Sequence, residues 1–180
     1  EGQQLDIDFE SQNEVEYLSY INMIKYKTAV LLGSSLKMGA LINSTDDSTS
    51  DLLYKCGVNL GLAFQIQDDY LDLFGDEKII GKKIGGDVVE NKKTILYHLC
   101  FANANKSQKL LLNEIYNSSN KNKIHNARKL FSETKADLES RNLVKKYSEL
   151  AISQINDLEI DSSKKLELEN LSKLLLKRKF

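Results

Sequence analysis

Apolar residues recur at helical spacing along most of this chain. Val15, Leu18, Ile21, Met23 and Ile24, then Ala29, Leu32 and Leu36, fall on overlapping faces of one helical run. At Ala29-Val30-Leu31-Leu32 the run is apolar on more than one side, which predicts burial there. Ser11-Gln12-Asn13-Glu14 has the spacing of a capping box and predicts the start of that helix. The polar stretch from Asn43 to Ser50 predicts a loop, and Ser48-Thr49-Ser50-Asp51 predicts a second long helix reaching about Phe74. Leu52, Leu53, Cys56, Leu60, Ala63, Phe64, Ile66, Leu71 and Leu73 give it a wide apolar surface. Gly57 and Gly61, one turn apart, either let another helix come close or merely weaken this one. From Gly75 to Glu90 the pattern breaks. Gly75, Gly81, Gly85 and Gly86 lie there, out of 9 glycines in all, so the stretch predicts a loop. Helical patterning resumes at about Asn91–Asn103, Ser107–Asn117, Lys121–Leu138, Arg141–Leu158 and Ser162–Lys179. There is no internal repeat and no sustained strand alternation. The pattern predicts an all-α fold of about seven helices in one domain.

Composition sharpens this picture. The chain has 180 residues and no proline, which favours long uninterrupted helices. Lys and Arg number 25 and Asp and Glu 26, a net charge of -1 that gives no electrostatic case for binding nucleic acid or an anionic membrane. No apolar run approaches the roughly 20 residues of a membrane span. Cys56 and Cys100 have apolar neighbours and read as reduced core residues of an intracellular, cytoplasmic protein rather than a disulfide framework. No signal peptide is recognisable. The chain opens on Glu1 rather than Met, already inside a motif, and the expectation is that an N-terminal part of a larger protein precedes it.

Three groups of residues could carry chemistry. In Gln65-Ile66-Gln67-Asp68-Asp69-Tyr70-Leu71-Asp72, Asp68 and Asp72 share one helix face, and Asp69 lies about 100° round from Asp68. Carboxylates this close repel one another unless a cation intervenes, and they stand among apolar residues. That setting suits Mg²⁺, which is typically held by one or two carboxylates plus substrate phosphates. A solvated acidic helix edge is the ordinary alternative. Gly81-Lys82-Lys83-Ile84-Gly85-Gly86-Asp87, followed by Lys92-Lys93-Thr94, sets lysines in a Gly-rich loop as a metal-diphosphate site requires, although no Walker A spacing is present. Alone it is equally a mobile Lys-rich loop. Lys27-Thr28 enters an apolar run and either points at an anion or reaches out to solvent. His98 and His125 have neither metal-ligand nor triad spacing and read as structural or surface residues. Tyr97 and Phe101 read as core.

Taken in order, these pieces resemble the trans-isoprenyl diphosphate synthases, the polyprenyl synthetase family that includes farnesyl and geranylgeranyl diphosphate synthases. The matching residues are Gly2-Gln3-x-x-Asp6, Lys27-Thr28, Phe64-Gln65-Ile66-Gln67-Asp68-Asp69-Tyr70-Leu71-Asp72, Gly81-Lys82-x-x-Gly85-x-Asp87, Lys92 and a basic C-terminus. The resemblance spans essentially the whole chain but only the C-terminal half or so of the family's length. It implies an isoprenoid-synthase-type helical bundle. It implies that Asp68, Asp69 and Asp72 hold Mg²⁺ on an allylic diphosphate, with Asp68 the direct ligand. Lys27 and Lys82 would grip that diphosphate, Thr28 and Gln65 would line the same site, and Lys92 would belong to the same pocket. Gln3 and Asp6 would lie on a helix facing the reaction cavity, and Arg178 and Lys179 would close over the isopentenyl diphosphate side. The implied reaction is Mg²⁺-dependent condensation of isopentenyl diphosphate with an allylic diphosphate, in a protein that is usually a homodimer.

One departure is large. The family's first aspartate-rich motif and its adjacent arginines have no counterpart in this sequence, so residues 1–180 alone are expected to be inactive. The competing readings are a non-catalytic subunit pairing with a catalytic homologue, a terpene cyclase or squalene-type synthase, and a plain helical interaction domain. The intact aspartates and lysines weigh against the first, and failure to bind Mg²⁺-diphosphate with indifference to Asp68→Ala would favour the last. Lys27-Thr28 and the GKxxGxD loop match chain elongation better than cyclisation.

Overall fold

The computed structural model describes residues 1–12, 14–43, 45–77, 81 and 83–177. Among them there is no strand, and the helices form one bundle around a long central element. Lys82, Arg178 and Lys179 lie outside the described residues.

Helix α1 covers Gly2–Glu10 and α2 covers Tyr17–Ile24. A π-helical turn, Lys25–Ala29, joins α2 to α3, Val30–Ile42, so the predicted apolar run is one helical path with a wide turn in its middle. Such turns are rare and recur at functional sites. The predicted capping box is not where α2 begins. Glu16 occupies the cap position of α2 without a side-chain hydrogen bond. Ser11 instead follows α1 and donates its hydroxyl to the Asp8 carbonyl at 2.9 Å. Helix α1 takes up the chain just before Ser11, so the capping-box spacing there is coincidental.

Helix α4, Asp47–Phe74, is the axis of the bundle. At 28 residues it is about 42 Å long. It starts slightly before the predicted point because Asp46 is a better cap than Ser48. The Asp46 carboxylate accepts from the Thr49 N–H and from the Thr49 hydroxyl, both at 2.8 Å. Helix α3 packs along one side of α4, and the two backbones nearly touch. A Cβ on Gly61 would stand 2.4 Å from Ala29 Cα, and one on Gly57 would stand 2.6 Å from Gly33 Cα. The paired glycines are therefore there for close approach.

Further along the chain come a short helix α5, Gly86–Val89, then α6, Ile95–Asn103, and α7, Lys106–Asn117. Next are α8, Lys123–Glu133, α9, Ala136–Asn156, and α10, Ser162–Leu176. The single helix predicted over Lys121–Leu138 is divided, because Lys135 adopts a left-handed φ of 62° and caps α9. Helix α9 also packs along α4, and α6 and α8 pack beside them. Tyr20, Ile24, Ile66, Leu73, Leu96 and Phe131 form the centre of the core. Cys56 and Cys100 are buried free thiols. Phe101 corrects the core expectation: it is 43% exposed, stacks on Tyr97 and carries Lys109 Nζ 4.5 Å from its ring centre. No helix among the described residues is long and apolar enough to cross a membrane.

Candidate functional site

A cavity of about 200 Å³ opens where α1, α2, the π turn, α4 and the segment before α6 converge. Its apolar floor is Phe9, Met23 and Ile24, and its polar wall includes Asp6, Lys27, Gln65, Asp68, Asp69, Asp87 and Lys92. A larger groove of about 910 Å³ between α4, α9 and α10 is lined by none of the motif aspartates and not by Lys27.

Helix α1 reaches the cavity because its first residue is glycine. A Cβ on Gly2 would stand 2.1 Å from the Lys27 backbone nitrogen, so α1 lies directly on the π turn. That approach brings Asp6 Oδ2 to 2.6 Å from Lys27 Nζ. Thr28 turns to α4 and donates its hydroxyl to Gln65 Oε1 at 2.8 Å. Gln3 is exposed on α1 and is not among the lining residues, although its helix is.

The tandem aspartates do not behave alike. Asp68 is partly exposed and faces the cavity. Asp69 also lines the cavity but is only 6% exposed. Its Oδ2 accepts from the Tyr20 hydroxyl and from the Ile95 N–H at 3.4 Å, and its Oδ1 accepts from Gln65 Nε2 at 3.1 Å. Burial pushes the Asp69 carboxyl up to about 6, against the downward pull of the Tyr20 and Gln65 hydrogen bonds. Asp72 is 5% exposed and holds the turn after the Gly-rich loop, not the cavity wall. Its Oδ2 accepts from the Asp87 N–H at 3.0 Å, and its backbone carbonyl accepts from the Gly85 N–H at 2.5 Å. Asp72 thereby presents Asp87 to the cavity.

The lysine wall comes from residues 91–94. Lys92 Nζ lies 2.8 Å from Glu90, 3.8 Å from Glu10 and 3.9 Å from Asp87. The Glu90 hydrogen bond raises its pKa above the ordinary lysine value. Lys93 is half-buried, donates to the Gln12 carbonyl at 2.6 Å and is lowered by desolvation. The segment is held from behind. Asn91 has a left-handed φ of 60°, and its side chain accepts from Lys123 Nζ at 2.5 Å. The Tyr116 hydroxyl donates to the Lys92 carbonyl at 3.3 Å.

Among the described residues no three His, Cys, Asp or Glu side chains gather as a ready-made metal cage. What the cavity offers is oxygen donors from Asp68 and Asp87 beside lysines. This donor set fits Mg²⁺, which keeps several waters and takes one or two carboxylates together with phosphate oxygens. A soft-metal site would need thiolates or imidazoles, and none lines the cavity.

Residues 1–134 match the polyprenyl synthetase family. The chain belongs to that family. It is 37% identical over 164 residues to geranylgeranyl diphosphate synthase of Saccharolobus solfataricus, covering 90% of this chain and 49% of the relative. It is 36% identical over 163 residues to the enzyme of the same name from Sulfolobus acidocaldarius, covering 88% of this chain and 48% of that one. A crystal structure of geranylgeranyl pyrophosphate synthase superposes with a TM-score of 0.89 at 37% identity, over 99% of this chain and 57% of that one. Another, from Corynebacterium glutamicum and complexed with isoprenyl diphosphate and magnesium, gives 0.88 at 26% identity over 99% of this chain and 51% of that one. The polyprenyl synthetase chain thus spans about half the length of the curated relatives it matches, and its helical bundle is theirs.

Sequence reasoning missed Tyr20, Phe9, Glu10 and Thr94 as lining residues, and it gave Lys93 no role of its own. Tyr20 did carry a signal. It stands seven residues before Lys27, two helical turns back on the same side. His98, read as structural, is 8% exposed and packs its ring 5.3 Å from that of Tyr20.

Proposed function

We propose that this polyprenyl synthetase chain forms one helical domain that supplies the diphosphate-binding side of a Mg²⁺-dependent prenyltransferase. The reaction is the condensation of isopentenyl diphosphate with an allylic diphosphate. One observation carries the reading: a cavity with an apolar floor sets a partly exposed aspartate of a buried helix, Asp68, among lysines from two other elements. Relatives named geranylgeranyl and geranylfarnesyl diphosphate synthase support the short-chain class.

Asp68 is the proposed metal ligand, with Asp87 beside it. A Mg²⁺ ion held there would neutralise the charge that develops on a departing diphosphate. Lys27, kept in place by Asp6, binds diphosphate oxygens from the π turn, and Lys92 and Lys93 do so from the opposite wall. Lys82 is proposed for the same role. Thr28 and Gln65 orient the α4 wall against the π turn. Phe9, Met23 and Ile24 keep water from the reacting carbon. Gln3 is proposed to border the cavity from the end of α1, and Arg178 and Lys179 to face the isopentenyl diphosphate. The protein is proposed to be a homodimer, in support of which Leu31, Met38, Leu41 and Ile42 of α3 are exposed.

Titration calorimetry with inorganic pyrophosphate tests the reading. The chain is expected to bind pyrophosphate in the presence of Mg²⁺, and Asp68→Ala is expected to weaken that binding at least tenfold. The two proteins should differ little when EDTA removes the metal. Equal affinity of the two proteins with Mg²⁺ present would contradict the assignment.

A further inference from the structure

We propose that Tyr20 is a positioning residue that locks the Asp69 carboxylate against the frame, and so makes Asp68 the more exposed of the two adjacent carboxylates that line the cavity. This rests on the diphosphate-site reading above and adds a residue to it. Tyr20 projects from α2 and is 1% exposed. Its hydroxyl meets Asp69 Oδ2, 49 residues away along the chain. Burial and the neighbouring Asp69 charge hold the phenol protonated, so Tyr20 acts toward Asp69 as a donor.

The remaining Asp69 contacts come from different places. Gln65, one turn earlier on α4, holds Oδ1. The Ile95 N–H, the first amide of α6, holds Oδ2. Thr94 caps α6 without a side-chain hydrogen bond, so the Asp69 carboxylate stands in as the acceptor at that helix start. Gln65 in turn accepts from Thr28. One buried carboxylate therefore ties α2, α4, α6 and the turn bearing Lys27-Thr28 together. With both oxygens engaged by neutral donors, Asp69 is committed to the scaffold. Its neighbour Asp68, about 100° round the helix, is the more exposed of the two carboxylates on the cavity.

Tyr20 is the part of this clamp that can be removed with least disturbance. Phenylalanine keeps the ring against His98 and deletes only the hydroxyl. Without it Asp69 loses its closest donor, and its carboxylate is free to turn further into the cavity and shift Asp68 and Gln65.

The test is a cycle of the whole chain as wild type, Y20F, D69A and Y20F/D69A, with Mg²⁺ and inorganic pyrophosphate as the probe. Y20F is expected to weaken binding about five- to tenfold with an unchanged circular dichroism spectrum. In the D69A background the same change is expected to alter affinity less than twofold, because Tyr20 acts through Asp69. A purely structural tyrosine would lower the melting temperature and leave affinity alone. Y20F binding within twofold of wild type, or losses that multiply in the double variant, would overturn the proposal. If wild type does not bind the probe, the site reading fails, and melting of the same four proteins judges the clamp. Loss of stability on Y20F that disappears in the D69A background supports it, and equal loss in both backgrounds overturns it. D69S replaces D69A should the latter not fold.

Discussion

The two polar walls of the cavity are fixed in opposite ways. The α4 wall is anchored by a buried anion. Asp69 is 6% exposed and receives hydrogen bonds from Tyr20, Gln65 and Ile95. The 91–94 wall is anchored by a buried cation. Lys123, also 6% exposed, donates to Asn91 Oδ1 and, at 3.4 Å, to the Tyr116 carbonyl, with its Nζ 5.8 Å from the Tyr116 ring centre. The partners the structure shows for each are neutral. Burial shifts both groups toward their uncharged forms, Asp69 up and Lys123 down. Asp68 and Lys92, which line the same cavity, are more exposed and stand beside these anchors. The lesson is a division of labour within pairs: Asp68 beside Asp69, and Lys92 held through its neighbour Asn91. One member is spent on holding the wall, and the other is presented.

Removing the anion should break the comparison most severely. Asp69→Ala leaves the Tyr20 hydroxyl, the Gln65 amide and the Ile95 N–H without their acceptor. A loss of about 3–5 kcal/mol in urea unfolding is expected, since each stranded buried polar group costs about 1–3 kcal/mol. Asp68→Ala, one residue away, should cost less than about 1 kcal/mol. Equal losses at the two positions would erase the distinction between them.

A smaller effect should come from His98, which backs Tyr20. Burial pulls its pKa down to about 4. Unfolded, it titrates near 6.5. Between these values the unfolded chain binds the extra proton, so the His98 contribution to stability is lost as pH falls from about 6.5 to about 4. Asp69, raised when folded, works in the opposite sense over much of the same window, and its contribution is lost as pH rises toward 6. The difference between wild type and His98→Gln isolates the histidine. It should move by about 2 kcal/mol against wild type as pH drops through that window, read from urea midpoints. A difference independent of pH would show that His98 is not buried neutral.

The cation should be the gentler anchor to remove. Lys123→Met keeps the apolar stem and strands the Asn91 and Tyr116 acceptors at a cost of about 1 kcal/mol. Its clearer mark should be faster amide hydrogen exchange at residues 91–94, with α4 unchanged. Uniform change across both walls would mean that the walls are not separately held.

The fold was largely legible. Zero proline and sustained 3.6-residue patterning announce the helices, and of the two readings open for Gly57 with Gly61 the structure contains the close helix contact. What patterning could not reveal was tertiary: the left-handed Lys135 that divides α8 from α9, and the start of α1 at Gly2 that makes the Ser11 capping box irrelevant. The site was legible as a list of residue types, because carboxylates, lysines and glycines at family spacing are visible in one dimension. The roles within the list were not. Asp68 and Asp69 are equivalent letters, and only their burial separates them. Tyr20 reads as one more aromatic in an apolar run until its hydroxyl is seen on a carboxylate 49 residues away.

The central claim is that Asp68 presents itself to a metal-bound diphosphate while Asp69 stays in the frame. The most direct measurement is a crystal structure of the chain grown with Mn²⁺ and inorganic pyrophosphate, with the metal located by anomalous scattering. The account predicts a metal peak on Asp68 in the α1–α4 cavity, pyrophosphate against Lys27, and Asp69 still hydrogen-bonded to Tyr20. A metal bound by Asp69 with the Tyr20 hydroxyl turned away, or a cavity without metal beside ordered pyrophosphate, would contradict it.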